Sequence, residues 1–261
     1  MRPLLIWLRG EAAYFLGAVR FFTRLPVPAW VGHSAEALNQ SARYFSAVGW
    51  LVGGIAALVF CLADIFWPQP VAVLLSMAAT IYVTGAFHED GLSDAADGLG
   101  GGWDKLRILD IMKDSRVGSY GVVALWLGLT SKFLLLSSLE VALVPWALVA
   151  GHALSRYCAT LLLATMDYVR EDAQAKAKPL ATRLSPAALL VATVCALAAL
   201  PALPWPQGLW ACLLAGLATL WLARKFQRWL GGYTGDCLGA TQQVAEVAFY
   251  LGLLANGAGI P

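Results

Sequence analysis

Hydrophobic residues in this chain come in long runs separated by short polar segments, and the runs are longer than the core elements of a soluble domain require. A helix that crosses a bilayer needs about 17–25 apolar residues. Seven stretches read as such spans: 44–67, 70–87, 118–137, 141–165, 186–203, 208–223 (apolar on to Phe226) and 244–260. The stretch 11–31 differs. It is rich in aromatic and apolar residues (Tyr14, Phe15, Leu16, Phe21, Phe22, Trp30) but interrupted by Arg20, Arg24, Pro26 and Pro28, which predicts an interfacial or re-entrant helix. The pattern therefore predicts an all-α, polytopic integral membrane protein with about seven transmembrane helices. Internal repeats and low-complexity segments are absent, so residues 1–261 form a single membrane-embedded domain.

Charge placement orients the spans. Of the 18 basic residues, Arg2, Arg9, Arg20, Arg24 and Arg43 precede the first span, and Lys105, Arg107, Lys113 and Arg116 lie between the second and third. Arg170, Lys176, Lys178 and Arg183 lie between the fourth and fifth, and Arg224, Lys225 and Arg228 between the sixth and seventh. The connectors around Pro68, Glu140 and Pro206 carry none. Positive-inside orientation then puts the N-terminus and the long polar loops in the cytoplasm. Trp67 and the Pro-Trp-Pro at 204–206 suit the interfacial belt on the opposite side.

Composition agrees with the pattern. Hydrophobic residues make up 59% of the chain and charged residues 13%, against about 25% charged in soluble proteins. The mean hydropathy is +0.68. There is no basic stripe with interleaved aromatics, which excludes a nucleic-acid-binding surface. The five cysteines form no CxxC pair; four lie in apolar runs, and Cys237 lies in what reads as a polar loop, so a disulfide scaffold is excluded. The first nine residues are too short an apolar core, without a small-residue cleavage site, to read as a signal peptide.

The chemistry concentrates after the second span. Glu89, Asp90, Asp94 and Asp97 fall within nine residues. On a helix, Asp90, Asp94 and Asp97 share one narrow face, and stacking like charges there gains nothing structurally. The expected counter-charge is Mg²⁺, bound by oxygen ligands and completed by a phosphorylated substrate, with Glu89, Asp90, Asp94 and Asp97 as metal ligands. His88 falls about 160° around the helix from Asp90 and does not share that face. The glycines of 98–102 match no phosphate-binding loop motif and are expected to break the helix.

Two further polar segments join this one. Lys113-Asp114-Ser115-Arg116, followed by Gly118-Ser119-Tyr120-Gly121, brings positive charge suited to a diphosphate. Gly235-Asp236-Cys237-Leu238-Gly239-Ala240 reads either as a second half-site, with Asp236 completing the metal face, or as an ordinary Gly-Asp turn. Lys132 and Arg156 lie inside spans and are expected to face the protein interior, Arg156 toward a phosphate. Arg24 either anchors the membrane surface or turns to an anionic ligand. These parts fit metal-assisted substitution at phosphorus: Asp94 and Asp97 at the reacting centre, Lys113 and Arg116 taking up charge on the leaving phosphate, and a carboxylate accepting the proton of an attacking hydroxyl. Arg24, Asp114, Tyr120, Arg156 and Asp236 are the expected substrate contacts.

The strings Glu89-Asp90-Gly91-Leu92-x-Asp94-x-x-Asp97-Gly98, Ile111-Met112-Lys113-Asp114-Ser115-Arg116-x-Gly118-x-Tyr120-Gly121 and Gly235-Asp236-x-Leu238-Gly239-Ala240 resemble those of the cobalamin synthase family, the adenosylcobinamide-GDP ribazoletransferases. The early Phe21-Phe22-Thr23-Arg24-Leu25-Pro26-Val27-Pro28 is similar to the family's N-terminal signature. The resemblance implies an enzyme of the bacterial inner membrane that uses Mg²⁺ to join adenosylcobinamide-GDP to α-ribazole or its 5′-phosphate, releasing GMP. It leaves room for a homo-oligomer or for contact with other cobalamin-assembly enzymes. CDP-alcohol phosphotransferases space their Asp residues differently and lack the Lys-Asp-Ser-Arg string, and prenyltransferases would break a C–O bond. A cation transporter would carry its acids near the bilayer midplane rather than at its boundary.

Overall fold

The computed structural model describes residues 2–32, 34–170 and 184–255. Among them the chain is helical throughout, with one isolated parallel bridge between Tyr168 and Tyr233. The helices are α1 (Arg2–Phe22), α2 (Ala35–Ser41), α3 (Phe45–Asp64), α4 (Gln69–Thr84), α5 (Phe87–Gly101), α6 (Lys105–Ile111), α7 (Ser119–Ser137), α8 (Val144–Thr165), α9 (Pro186–Leu197), α10 (Trp205–Leu230) and α11 (Gly235–Leu254). Their starts follow local chemistry. Ser34, Asp104, Ser185 and Thr234 each accept a backbone N–H from the first turn of the helix that follows, and proline sits in the first turn of α4, α8, α9 and α10.

The protein is a multi-pass membrane bundle. Four helical stretches are long and apolar enough to cross a membrane: Glu36–Asp64, Ser119–Ser137, Val141–Thr165 and Trp205–Leu230. The pair α4 and α5 qualifies as a fifth only if the two are taken as one broken span, since they meet at 86°. Seven full spans are not confirmed among the described residues, and two of the expected stretches differ in form. The stretch 186–203 forms a 12-residue helix followed by a 3-10 turn, and such a helix is only ~18 Å long against a hydrocarbon core of about 30 Å. The last helix begins at Gly235 rather than near Val244, so its first half is polar; residues 256–260 of the expected span lie outside the described residues. Lys176, Lys178 and Arg183 of the basic census lie outside them as well.

Packing follows membrane rules, in which small residues let helix backbones approach. A Cβ added at Gly49 of α3 would sit 2.4 Å from the carbonyl oxygen of His152, and one at Gly53 would sit 2.7 Å from that of Leu148. These two positions seat α3 against α8, which is buried along most of its length. The opposite pattern marks the outside of the bundle, where α7 and α10 expose Trp126, Leu134, Leu213 and Leu217.

Both intramembrane cations turn inward. Lys132 Nζ lies 3.2 Å from Glu246 Oε1 and donates to Gln243 Oε1 at 3.0 Å. Glu246 also accepts from Gln242 Nε2 at 2.6 Å and from the Tyr250 hydroxyl at 2.9 Å. Arg156 Nη1 donates to the His152 carbonyl at 3.0 Å, and His152 Nδ1 stands 3.6 Å from Glu246. The first half of α11 is polar because it supplies this interior network.

Candidate active site

The acidic segment is helical, and a backbone turn aims it. Gly85 (φ 67°) closes α4 in the left-handed region, and Ala86 (φ 59°) follows it there. A non-glycine residue in that region is strained by roughly 1–2 kcal/mol, so the bend is held by its surroundings. The backbone N–H of Arg24 donates to Val83 O at 2.8 Å, and the Arg24 guanidinium lies against Gly85, where an added Cβ would come within 2.5 Å of its Nε. Past the bend, α5 runs almost at right angles to α4 and carries Glu89, Asp90, Asp94 and Asp97 away from the span axis.

The glycine cluster does not break this helix; α5 continues to Gly101. A side chain at Gly98 would strike Met112, and one at Gly100 would strike the Tyr120 ring. The glycines serve close packing against the Lys-Asp-Ser-Arg segment and the start of α7.

The crossing of α5 and α11 brings two of the motifs together. A Cβ at Gly91 would lie 3.1 Å from both Asp236 O and Gly239 Cα, and one at Gly239 would lie 3.1 Å from Gly91 Cα. With no side chain on either residue, Asp236 in the first turn of α11 comes beside the acidic face of α5. Cys237 is buried on α11, not in a loop.

The three aspartates of the face have different surroundings. Asp90 is exposed, Asp94 half-buried and Asp97 buried. Asp97 accepts the backbone N–H of Gly118 at 2.7 Å and of Gly121 at 2.8 Å, so it fixes the start of α7. Burial pushes the Asp94 carboxyl up to about 7, and the negative charges of Asp236 and Asp90 push in the same direction. Asp236 is also raised by burial, and Arg170 opposes that shift through a 2.8 Å ion pair. Arg170 was legible in the sequence only as one more flanking cation. The Tyr168–Tyr233 bridge places it, tying the end of α8 to the turn before α11.

Other expected residues lie apart from this meeting point. Glu89 turns into the interior, where Oε1 accepts from Gln243 Nε2 at 3.0 Å and the buried Oε2 has no partner. Asp114 and Arg116 pair with each other at 2.6 Å, and that guanidinium holds the Asp114 carboxyl below the usual carboxylate range. Lys113 and Tyr120 are exposed. A groove of about 470 Å³ runs beside them, lined by Asp97, Arg107, Asp110, Asp114, Arg116 and Tyr120. Arg156 lies on the other side of α5, in the interior network.

Among the described residues, no three His, Cys, Asp or Glu side chains converge tightly enough to cage a metal ion. Mg²⁺ in phosphoryl chemistry is usually held by one or two carboxylates plus substrate oxygens rather than by an all-protein cage. Asp90, Asp94 and Asp236 repel one another at the crossing, with Arg170 as their nearby guanidinium. That donor set fits a hard cation shared with a phosphorylated substrate.

Comparison with known proteins covers nearly the whole length of the chain. The family model CobS, cobalamin-5-phosphate synthase, matches residues 14–254. A Shewanella woodyi protein named adenosylcobinamide-GDP ribazoletransferase is 48% identical over 250 residues, spanning 95% of this chain and 97% of its own. Its namesake in Shewanella amazonensis is 50% identical over 261 residues, covering 94% of this chain and 96% of its own. That of Leptothrix cholodnii is 49% identical over 255 residues, with the same two coverages of 94% and 96%. No solved structure matches the chain.

Proposed function

Because the chain belongs to the cobalamin-5-phosphate synthase family, we propose that it joins adenosylcobinamide-GDP to α-ribazole or its 5′-phosphate and releases GMP, closing the nucleotide loop of cobalamin. The observation that carries the chemistry is the α5–α11 crossing, where Asp94 meets Asp90 and Asp236, while Asp97, one turn further along α5, lines the groove with Arg107 and Arg116.

In this reading a ribazole hydroxyl attacks the cobinamide-proximal phosphorus, a new P–O bond forms, and the P–O bond to GMP breaks. Asp94 accepts the hydroxyl proton. Burial and its acidic neighbours raise the proton affinity of that carboxyl in the cation-free protein, which suits a group that takes up a proton. Arg116 lines the groove that receives the departing phosphate, and Lys113 is exposed on the same segment. Asp97 sets the start of α7 and thereby the position of that groove. Asp90 and Asp236 would hold Mg²⁺, which when bound supplies Lewis-acid neutralisation of the diphosphate. The basic census supports a cytoplasmic site on the inner membrane.

Purified protein in detergent, given adenosylcobinamide-GDP, α-ribazole 5′-phosphate and Mg²⁺, is expected to release GMP. Removal of the divalent cation with EDTA or the change Asp94→Asn is expected to abolish most of that release. Wild-type protein that forms no GMP, or a rate indifferent to both changes, sinks the assignment. Membrane-impermeant thiol labelling of single cysteines placed between Asp90 and Arg116 tests the orientation: it should fail from the periplasm and succeed once the membrane is opened.

A further inference from the structure

A partly enclosed aromatic chamber lies behind the acidic crossing. Its volume is about 260 Å³, and its lining includes Phe21, Phe22, Phe45, Phe87, His88 and Arg156. The rings are packed as a box. The Phe22 ring stacks on the His88 imidazole, with centroids 5.4 Å apart and planes 12° from parallel. Phe45 meets Phe22 edge-on at 4.5 Å, and Phe87 meets Phe21 edge-on at 5.2 Å. Two wall residues hold buried polar atoms without partners. His88 is 4% exposed and Arg156 2% exposed, and neither His88 Nε2 nor Arg156 Nε makes a hydrogen bond. Both atoms are sealed off from the chamber itself, so what the chamber offers an occupant is mainly flat ring faces.

The occupant is constrained by size and by chemistry. Pockets that take a whole drug-sized ligand measure about 300–1,000 Å³, so this one suits a single two-ring base rather than a complete nucleotide. A lipid chain has no flat face to set against these rings. Guanine would bring more donors and acceptors along its edge than this mostly apolar wall can answer. A dimethylbenzimidazole has two flat apolar rings and a single ring nitrogen with a free lone pair, so it asks little of such a wall beyond ring contact.

The chamber also has the right neighbour. Gly235 and Gly239 line it, and the same turn of α11 carries Asp236 and touches Gly91 at the acidic crossing. We propose that this chamber holds the benzimidazole base of the acceptor nucleoside, so that its ribose emerges where Asp94 and Asp236 meet. The proposal rests on the ribazoletransferase reading and names the acceptor subsite within it.

Ala159 also lines the chamber and offers a way to fill it without touching the acids. The change Ala159→Leu should raise KM for α-ribazole 5′-phosphate at least tenfold, in line with the roughly 10–200-fold effects of small volume changes in apolar pockets. KM for adenosylcobinamide-GDP should stay within twofold. Preference should shift at least tenfold toward the analogue whose benzimidazole lacks both methyl groups, a change that partial misfolding does not produce. Should Ala159→Leu fail to accumulate, Ala159→Val carries the same comparison. Equilibrium dialysis of α-ribazole against the wild-type and variant proteins in nanodiscs reads the subsite without turnover. Equal binding by both, or a rise confined to the KM for adenosylcobinamide-GDP, overturns the proposal. Wild-type protein that binds α-ribazole and loses it on filling the chamber, yet forms no GMP, keeps the subsite and sinks the reaction.

Discussion

Asp94 sits where three carboxyl groups and one guanidinium meet, and its proton affinity follows from that setting. The folded chain holds the Asp94 proton up to about pH 7, whereas an ordinary aspartate, with a pKa of 3.8, has released it well below that. Between these values the folded state binds more protons than the unfolded one, so the cation-free protein should lose stability as pH rises from about 4 toward 7. Asp94→Asn should flatten that part of a Tm-against-pH curve recorded without divalent cation. For catalysis the sign is opposite, since the base must be ionised. The Mg²⁺-supported rate should rise with pH along an acidic limb that lies below the cation-free stability transition, because a bound cation offsets the acidic neighbours. Asp94→Asn should lower kcat by roughly 10²–10⁴-fold while erasing that limb. The acidic face itself was legible in the sequence from the spacing of Asp90, Asp94 and Asp97. The separate environments of those three side chains were not, because each is set by a remote partner: Asp97 by the amides of Gly118 and Gly121, and Asp94 by Asp236, which Arg170 in turn holds.

Helix α5 is active only in relation to α11. Their crossing depends on two hydrogen atoms standing where side chains would, at Gly91 and Gly239. Gly239→Ala tests this dependence. The added Cβ must displace the α5 backbone by a few tenths of an ångström, while alanine favours the helix over glycine by about 1 kcal/mol. Thermal stability should therefore stay close to wild type, and GMP release should fall roughly tenfold because Asp94 and Asp236 are pushed apart. A variant that loses stability but keeps its specific activity would place the importance of Gly239 in folding instead. Hydropathy revealed the long spans, because α3, α7, α8 and α10 present apolar surface to lipid or to each other. It hid the beginning of α11, where Gly235, Asp236, Gln242 and Gln243 read as loop but are helical, with Gln242 and Gln243 turned toward the interior. It also gave no sign of the bend at Gly85 and Ala86, which depends on backbone geometry and on the Arg24 side chain lying over it.

Across the whole bundle, α7, α8 and α11 are joined by Lys132, His152, Arg156 and Glu246. Removing one member of a buried ion pair typically costs about 3–5 kcal/mol, because the other charge is left without compensation. Lys132→Met should be destabilising on that scale in a mixed-micelle unfolding titration, and Lys132→Met combined with Glu246→Leu should recover part of the loss. The intramembrane cations were visible in the sequence as anomalies, but their acid, Glu246, looked like an isolated residue near a span end. The pairing has a consequence for the order in which the protein is made. Lys132 is synthesised well before Glu246, and a lysine at the centre of a helix opposes insertion by about 2.5–3.5 kcal/mol. The nascent chain must carry that cation, and Arg156 after it, until α11 emerges from the ribosome. Chains stopped just before Gly235 should therefore be short-lived in pulse–chase labelling, and co-expression of the missing helix as a separate peptide should lengthen their lifetime. The helix that supplies Glu246 is thus also a quality checkpoint, because a chain that has not yet reached it cannot neutralise its own interior.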